Sequence, residues 1–275
     1  MHESVLLKES IDSLHIQKGG KYIDATLGGG GHTLEIVKRD GRVLGIEADP
    51  KMLAVAKRRT SGSRPVLVLG NFRDIASIAK ANGFEKVLGV LFDLGISSVH
   101  LDSDDRGFSF RNEDVPLDMR LDQSRQGVTA SDLLNSLNTG QLTLLFESKR
   151  IAEAIVAERR LKPFEKVSDF LGLFGPKTGK IHPATKAFMM LRIAVNSEYE
   201  NLEVALSGAF DLLLSSGKLV VISFHSGEDR IVKRLFREFG ESGRARVEKL
   251  ILPTLAEVKA NPRSRSAKMR VLTKT

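Results

Sequence analysis

The chain has 275 residues, 41% of them hydrophobic, with a formal charge of +8 and no cysteine. A chain of this length buries one full core plus a subdomain, and it carries no apolar run long enough to cross a bilayer. The missing thiols exclude disulfides, thiolate zinc sites, iron–sulfur clusters and every cysteine-nucleophile mechanism. Residues 1–10 mix His2, Glu3, Lys8 and Glu9 into their apolar positions and so lack the unbroken hydrophobic segment of a secretory signal; a cytoplasmic location is expected.

In chain order, the pattern predicts a strand over 21–25, a glycine turn, a helix over 32–39 and a strand over 43–47. It continues with a helix over 50–59, a strand over 65–69, a helix over 75–82 and a strand over 87–93. Strands alternating with helices at this spacing predict a parallel, doubly wound α/β sheet. Right-handed crossovers then put the strand C-terminal ends, and any ligand, on one edge. After Asp93 the alternation stops until a strand at 218–224. Between them, 130–137, 142–160, 167–174 and 183–195 show helical spacing broken at Pro163, Pro176 and Pro183. A helical subdomain is therefore expected at 106–196, inserted into a core made of 1–105 and 197–275. Ser197 to Glu200 reads as a capping box opening a helix to about 214. A helix over 228–239, a weak strand over 246–252 and a last strand over 268–273 complete the chain.

The charge is uneven. Residues 1–105 balance, 106–196 carry +4, 197–217 carry −4 and 218–275 carry +8. A polyanionic partner fits this distribution, and so does simple basicity for solubility.

The turn from Asp24 to His32 holds four successive glycines after the first strand, letting backbone approach a nucleotide-like ligand at the next helix N-terminus. A dinucleotide fingerprint begun at Gly28 needs glycine or alanine where Thr33 stands, which weakens a hydride-transfer reading. Glu47 ends the second strand, where an acid accepts ribose hydroxyls, while Asp49 caps the helix beginning at Pro50. Asn71 and Phe72 offer an adenine a flat apolar face, and Asp93 ends the fourth strand on the same edge. Together these strand ends describe an adenosine pocket. Forming a 5-methylpyrimidine needs a cysteine thiolate, so carbon-5 methylation is excluded, whereas an exocyclic amine attacks a sulfonium methyl directly given a nearby proton acceptor. Asp93 is one candidate for that acceptor; binding the cofactor's amino group, or satisfying strand-end amides, is the other reading.

At these residues the chain resembles the small-subunit rRNA cytosine-N4 methyltransferase H family, also called MraW. The resemblance runs over nearly the whole length. It is carried by 24–32, Asp-Leu-Gly-Ile-Ser-Ser at 93–98, Arg-Gly-Phe-Ser-Phe at 106–110, Pro-Leu-Asp-Met-Arg at 116–120 and His-Pro-Ala-Thr at 182–185. Further matches are Arg-Ile-Ala-Val-Asn at 192–196, Ser-Phe-His-Ser at 223–226, Glu-Asp-Arg-Ile-Val-Lys at 228–233 and Asn-Pro-Arg-Ser-Arg-Ser at 261–266. It implies a class I (Rossmann-like) methyltransferase sheet with an inserted helical subdomain, which uses S-adenosylmethionine to methylate the N4 amine of a decoding-region cytidine in small-subunit (16S) rRNA. The implied cofactor contacts are Gly30, Gly31, His32, Glu47, Phe72, Asp93 and His100, of which only His100 lies outside the pocket read from the residues. Several positions depart from the family pattern. Glu47 stands where aspartate is common, Val99 and His100 replace a proline–glutamine pair, Gly227 replaces a leucine and Met189 a glutamine.

For the substrate, Arg106, Phe108, Phe110, Asp118 and Arg120 offer aromatic faces for an unstacked base and guanidinium groups for phosphate. A buried Phe pair beside a structural Asp118–Arg120 ion pair is the plain alternative. Arg192 and Asn196 share a helical face and either reach RNA or tie the insertion to the core. Ser226 to Asp229 reads as an N-cap followed by acids, leaving His225 to contact base or phosphate or to make a structural hydrogen bond. The segment 259–270 carries five basic residues suited to rRNA phosphates. The partner implied is small-subunit rRNA, with neither metal nor membrane. The competing functions are a methyltransferase acting on another RNA, a protein or a small molecule, and a non-catalytic RNA-binding module.

Overall fold

The computed structural model describes residues 4–96, 105–176, 179 and 182–275. Among these, seven strands form one sheet: β1 (Lys21–Asp24), β2 (Arg42–Glu47), β3 (Val66–Leu69), β4 (Val87–Asp93), β5 (Leu213–Ser223), β6 (Ala245–Val247) and β7 (Lys268–Lys274), in the order β3-β2-β1-β4-β5-β7-β6. The first five run parallel, with Ile23 opposite both Leu44 and Val90, and β7 returns antiparallel against β5 with Val220 opposite Val271. This is the class I methyltransferase sheet that the sequence leads one to expect. From β1 the chain steps outward to β2 and β3, then returns to lay β4 on the other side of β1. The C-terminal ends of β1 and β4 therefore flank a topological switch point, where open α/β sheets bind ligands.

Period-two alternation fills both faces. In β4, Val90 and Phe92 join one buried cluster while Leu91 joins another; in β5, Leu219 and Val221 part in the same way from Val220 and Ile222. The first face is covered by α4 (Ile75–Ala81), α10 (Glu198–Leu212) and α11 (Ser226–Glu241), and the second by α1 (Leu7–Leu14) and α2 (Gly31–Lys38). Strands buried on both sides explain the nearly unbroken apolar runs at 87–92 and 219–222. α3 (Pro50–Arg59) begins with proline at its first turn and packs Leu53 and Ala56 against Leu27.

The chain divides into two compact units, Met1–Gly95 with Tyr199–Thr275, and Ile96–Glu198. The described elements of the second unit are α5 (Ala130–Ser136), α6 (Thr139–Phe146), α7 (Lys149–Glu158), α8 (Val167–Leu171) and α9 (Thr185–Asn196). They surround their own core of Leu134, Leu142, Ile155 and Leu191 with an aromatic group in which Phe170 contacts Phe146, Phe164, Phe174 and Phe188. Among the described residues, no helix is long and apolar enough to cross a membrane.

Several local expectations need correction. The helix expected over 142–160 is two helices, because Glu147 turns left-handed at φ 49° and Ser148 caps the next one through its hydroxyl. Ser197 directly precedes α10, which opens at Glu198, but at φ 48° it is also the left-handed residue that ends α9. The N-cap of α11 is His225 rather than Ser226. β5 starts at Leu213, before Gly217, and the weak strand reduces to β6 plus a bridge from Ile251 to Met269. The sequence reading also missed α1 and α12 (Leu255–Ala260). α1 starts from Leu6 in a left-handed conformation with no side-chain cap, so the usual start signal is missing there.

Candidate active site

The glycine turn is built from the sheet outward. Ala25 N–H donates to the Leu91 carbonyl and Leu27 N–H to that of Ile46, so the turn is anchored to the strands on either side of β1. Gly28 and Gly30 adopt φ of 51° and 77°, a region that a Cβ disfavours, and Gly30 leads directly into α2. Gly31 owes its size partly to a neighbour, since a methyl group there would lie 2.1 Å from the Ser4 hydroxyl. The first amides of α2 thus face the edge where β1 and β4 end.

Acids dominate that edge. Glu47 accepts the Gly28 and Asp49 N–H groups at 2.8 and 2.9 Å, one on each oxygen, which fixes its carboxyl under the turn. Burial pushes its pKa up to about 7. Asp24 is fully buried and accepts the Thr33 hydroxyl at 2.7 Å, and burial raises it to about 6 despite that bond. Asp93 donates its backbone N–H to the Thr26 hydroxyl, while its Oδ2 lies 3.7 Å from Nδ1 of the buried His32. Its Oδ1 is buried with no hydrogen-bond partner. Burial, then the nearby Asp24 and Glu228 charges, push the Asp93 carboxyl well above the carboxylate range. An unpartnered buried oxygen of this kind suits an arriving donor or cation.

Phe72 follows β3 in a short turn capped by Asn71, with its ring edge-on to Phe92 at 5.9 Å. His225 lies at the end of β5. Its Nδ1 accepts the Glu228 N–H at 3.4 Å, and Glu228 returns the bond by accepting the Phe224 and His225 N–H groups at 2.8 and 3.4 Å. Asp229 is tied to Arg270 and Lys268 at 2.7 and 3.1 Å. Asp24, Thr26, Thr33 and Glu228 were not singled out from sequence. Only Glu228 left a signal there, as an acid three residues after a strand-end cap.

The candidates in the second unit are held by one another. Arg106 is buried, donates to the Leu121 carbonyl at 3.0 Å and lies 5.1 Å over the ring of the buried Phe108. Arg120 grips Asp118 through two bonds of 2.8 and 2.7 Å. Burial opposes ionisation of Asp118, but the bonds from Arg120 and Gln123 hold it below its ordinary value. Arg192 makes a two-pronged pair with Glu198 at 2.8 and 2.9 Å. Asn196, buried, accepts from Leu121 N–H and Gln126 and donates to the Met119 carbonyl at 2.8 Å. His100 lies outside the described residues.

Over residues 1–275 the sequence matches the family model described as the MraW methylase family. The chain belongs to this family. A protein of Dehalococcoides mccartyi named "Ribosomal RNA small subunit methyltransferase H" is 41% identical, the alignment covering 98% of this chain and 85% of that one. A protein of the same name from Thermomicrobium roseum is 43% identical over 98% of this chain and 92% of its own. The solved structure of an rRNA methylase from Streptococcus thermophilus covers 100% of this chain and 98% of its own at 13% identity, with a TM-score of 0.50, a likeness in fold.

As an MraW methylase the chain has one departure that the structure explains. At Gly227, where the family resemblance implies leucine, an added methyl group would lie 1.8 Å from the Tyr199 hydroxyl, whose ring packs 6.0 Å from that of His225. Tyrosine and glycine thus exchange volume at the N-terminus of α11. Restoring leucine with G227L is predicted to destabilise the protein by roughly 1–3 kcal/mol, and trimming Tyr199 to alanine in the same chain to recover part of the loss, as read from urea unfolding of the single and double variants. The buried acids predict a pH effect. Because Asp24 binds its proton more tightly folded than unfolded, it favours the fold below its ordinary value of 3.8, and that contribution is lost as the pH rises through about 6. D24N is therefore predicted to be as stable as the parent near pH 4 and more stable at pH 8 in the unliganded protein, by up to roughly 3 kcal/mol, as read from urea unfolding at the two pH values.

Proposed function

We propose that this MraW methylase uses S-adenosylmethionine to methylate the exocyclic N4 amine of a cytidine in the decoding region of small-subunit rRNA, in the cytoplasm. The observation that carries the reading is the Asp93 carboxyl, at the switch-point end of β4 with a buried oxygen lacking a partner, in a chain about 40% identical to proteins named for small-subunit rRNA methylation.

The residues fit the cofactor. Gly30 and Gly31 bring backbone amides to the crevice, each Glu47 oxygen keeps a lone pair for a ribose hydroxyl, and Phe72 offers a ring for the adenine. His32 sits beside Asp93, and we keep His100 among the cofactor contacts on the family resemblance. When bound, S-adenosylmethionine supplies an electrophilic methyl group on a positively charged sulfur. The amine nitrogen forms the new bond to that carbon while the sulfur keeps the electrons of the bond that breaks. The nitrogen then carries one proton too many, and the Asp93 carboxylate accepts it, so no cysteine and no covalent enzyme intermediate is required.

For RNA binding we assign the second unit and the basic C-terminal segment. Arg106, Phe108, Asp118, Arg120 and Asn196 hold the loop from 118 to 126 in shape, and Arg192 is paired with Glu198, so their part is to shape the RNA-facing surface. His225, through its cap on α11, orients Glu228 beside Asp93. Lys259, Arg263 and Arg265 are exposed and suited to phosphate, whereas Lys268 and Arg270 are committed to Asp229.

Incubating the protein with labelled S-adenosylmethionine and small subunits lacking the modification, then digesting the rRNA to nucleosides, is predicted to give N4-methylcytidine. D93A is predicted to lose at least 100-fold in kcat while remaining folded by circular dichroism, roughly the range of a lost general base. Label on a different nucleoside, or normal turnover by D93A, would refute the assignment.

A further inference from the structure

The cofactor edge of the first unit has an unusual charge balance. Asp24 at the end of β1 pairs with Leu91, two residues before Asp93 at the end of β4, and Asp93 pairs with Ile222, two residues before Phe224, whose N–H Glu228 in the first turn of α11 accepts at 2.8 Å. Asp24 is 0% and Glu228 3% exposed. Among the described residues, no lysine or arginine nitrogen lies within 4.0 Å of any of the three. The side-chain nitrogens beside them are imidazoles: His32 Nδ1, 3.7 Å from Asp93 Oδ2, and His225 Nε2, 3.3 Å from Glu228 Oε1. One oxygen of Asp24 and one of Asp93 are buried without a hydrogen-bond partner. Elsewhere in the same unit, the buried Asp229 is compensated by cations, being gripped by Arg270 and Lys268.

Like charges repel strongly here, and burial with the neighbouring acids favours the neutral form of Asp93 until something positive arrives. The two small molecules that such a site meets differ in charge by one unit. S-adenosylmethionine carries a sulfonium, an ammonium and a carboxylate, for a net charge of +1, whereas its thioether product is neutral overall. We propose that Asp24, Asp93 and Glu228 together discriminate the sulfonium cofactor from its thioether product, with Asp93 releasing a proton when the cofactor binds and taking one back at methyl transfer. This rests on the cofactor reading above and goes on to assign the basis of the site's selectivity.

The cycle balances. The unliganded site holds a neutral Asp93; cofactor binding expels that proton to solvent and leaves a carboxylate beside the sulfonium. At transfer the N–C bond forms, the S–C bond breaks with its electrons left on sulfur, and the amine proton passes to Asp93. The site then holds a neutral acid and a neutral thioether, with no ion pair to retain the product. Thus the group that serves as proton acceptor is ionised only when the methyl donor is present. Glu228 is a positioning residue in this scheme, because its charge sets how tightly Asp93 keeps the proton.

The test is calorimetric titration of the whole protein with S-adenosylmethionine and, separately, S-adenosylhomocysteine, between pH 6 and 8 in buffers of different ionisation enthalpy. The expected result is release of about one proton near pH 7 with the former and none with the latter, the former's affinity rising by up to tenfold per pH unit while the latter's stays level. D93N is expected to abolish the release and narrow the preference. E228Q, which keeps an acceptor for the Phe224 and His225 N–H groups, is expected to move the release to lower pH, and it carries the test if D93N does not fold. Equal proton counts for the two molecules would overturn the proposal while leaving the cofactor reading standing. So would release that survives D93N and disappears in H32N, which would assign the proton to the imidazole. Binding of neither molecule would overturn both.

Discussion

The parallel pairing of β1 with β4 is the constraint on which the site depends. It sets Ile23 against Val90 and carries both strands to the same edge, where Asp24 and Asp93 emerge beside a turn of glycines. A sheet with both faces apolar leaves these strand ends as the place where polar groups gather. The anchoring bonds from Ala25 to Leu91 and from Leu27 to Ile46 then fix the turn to strands on both sides, so its position follows from the sheet.

Stability and function pull against each other at this edge. Two buried acids, Asp24 and Glu228, and the partly exposed Asp93, with no lysine or arginine partner among the described residues, are a cost to the unliganded fold, while the same acids suit a positively charged ligand. The surrounding fold offsets that cost with apolar burial on both faces of the sheet and with compensated ion pairs elsewhere, such as Lys218 with Glu248 at 2.7 Å. In the second unit, polar side chains are spent on one another. Asn196 and the Asp118–Arg120 pair hold an irregular loop whose backbone groups would otherwise lack partners.

The alternation of strands and helices up to Asp93 was legible because each strand is short, apolar and bounded by turn residues, and the positions of Glu47, Phe72 and Asp93 at successive strand ends follow from it. Where the expectation failed, the deciding conformation was one that residue type does not announce. Glu147 and Leu6 both turn left-handed without being glycine or asparagine, which split one helix and hid another. His225 was not read as the α11 cap because serine is the commoner capping residue and stands next to it. The acids acting on Asp93 were invisible for a different reason. Asp24 and Glu228 are distant from it in sequence, and only the folded sheet brings their charges together.

A crystal structure with bound S-adenosylmethionine tests this account most directly. It should show the sulfonium within about 6 Å of the Asp93 carboxyl, the range over which opposite charges shift an acid's ionisation, with the ribose on Glu47 and the glycine turn along the methionine portion. A cofactor bound away from the ends of β1 and β4, or with its sulfur beyond that range of Asp93, would contradict it.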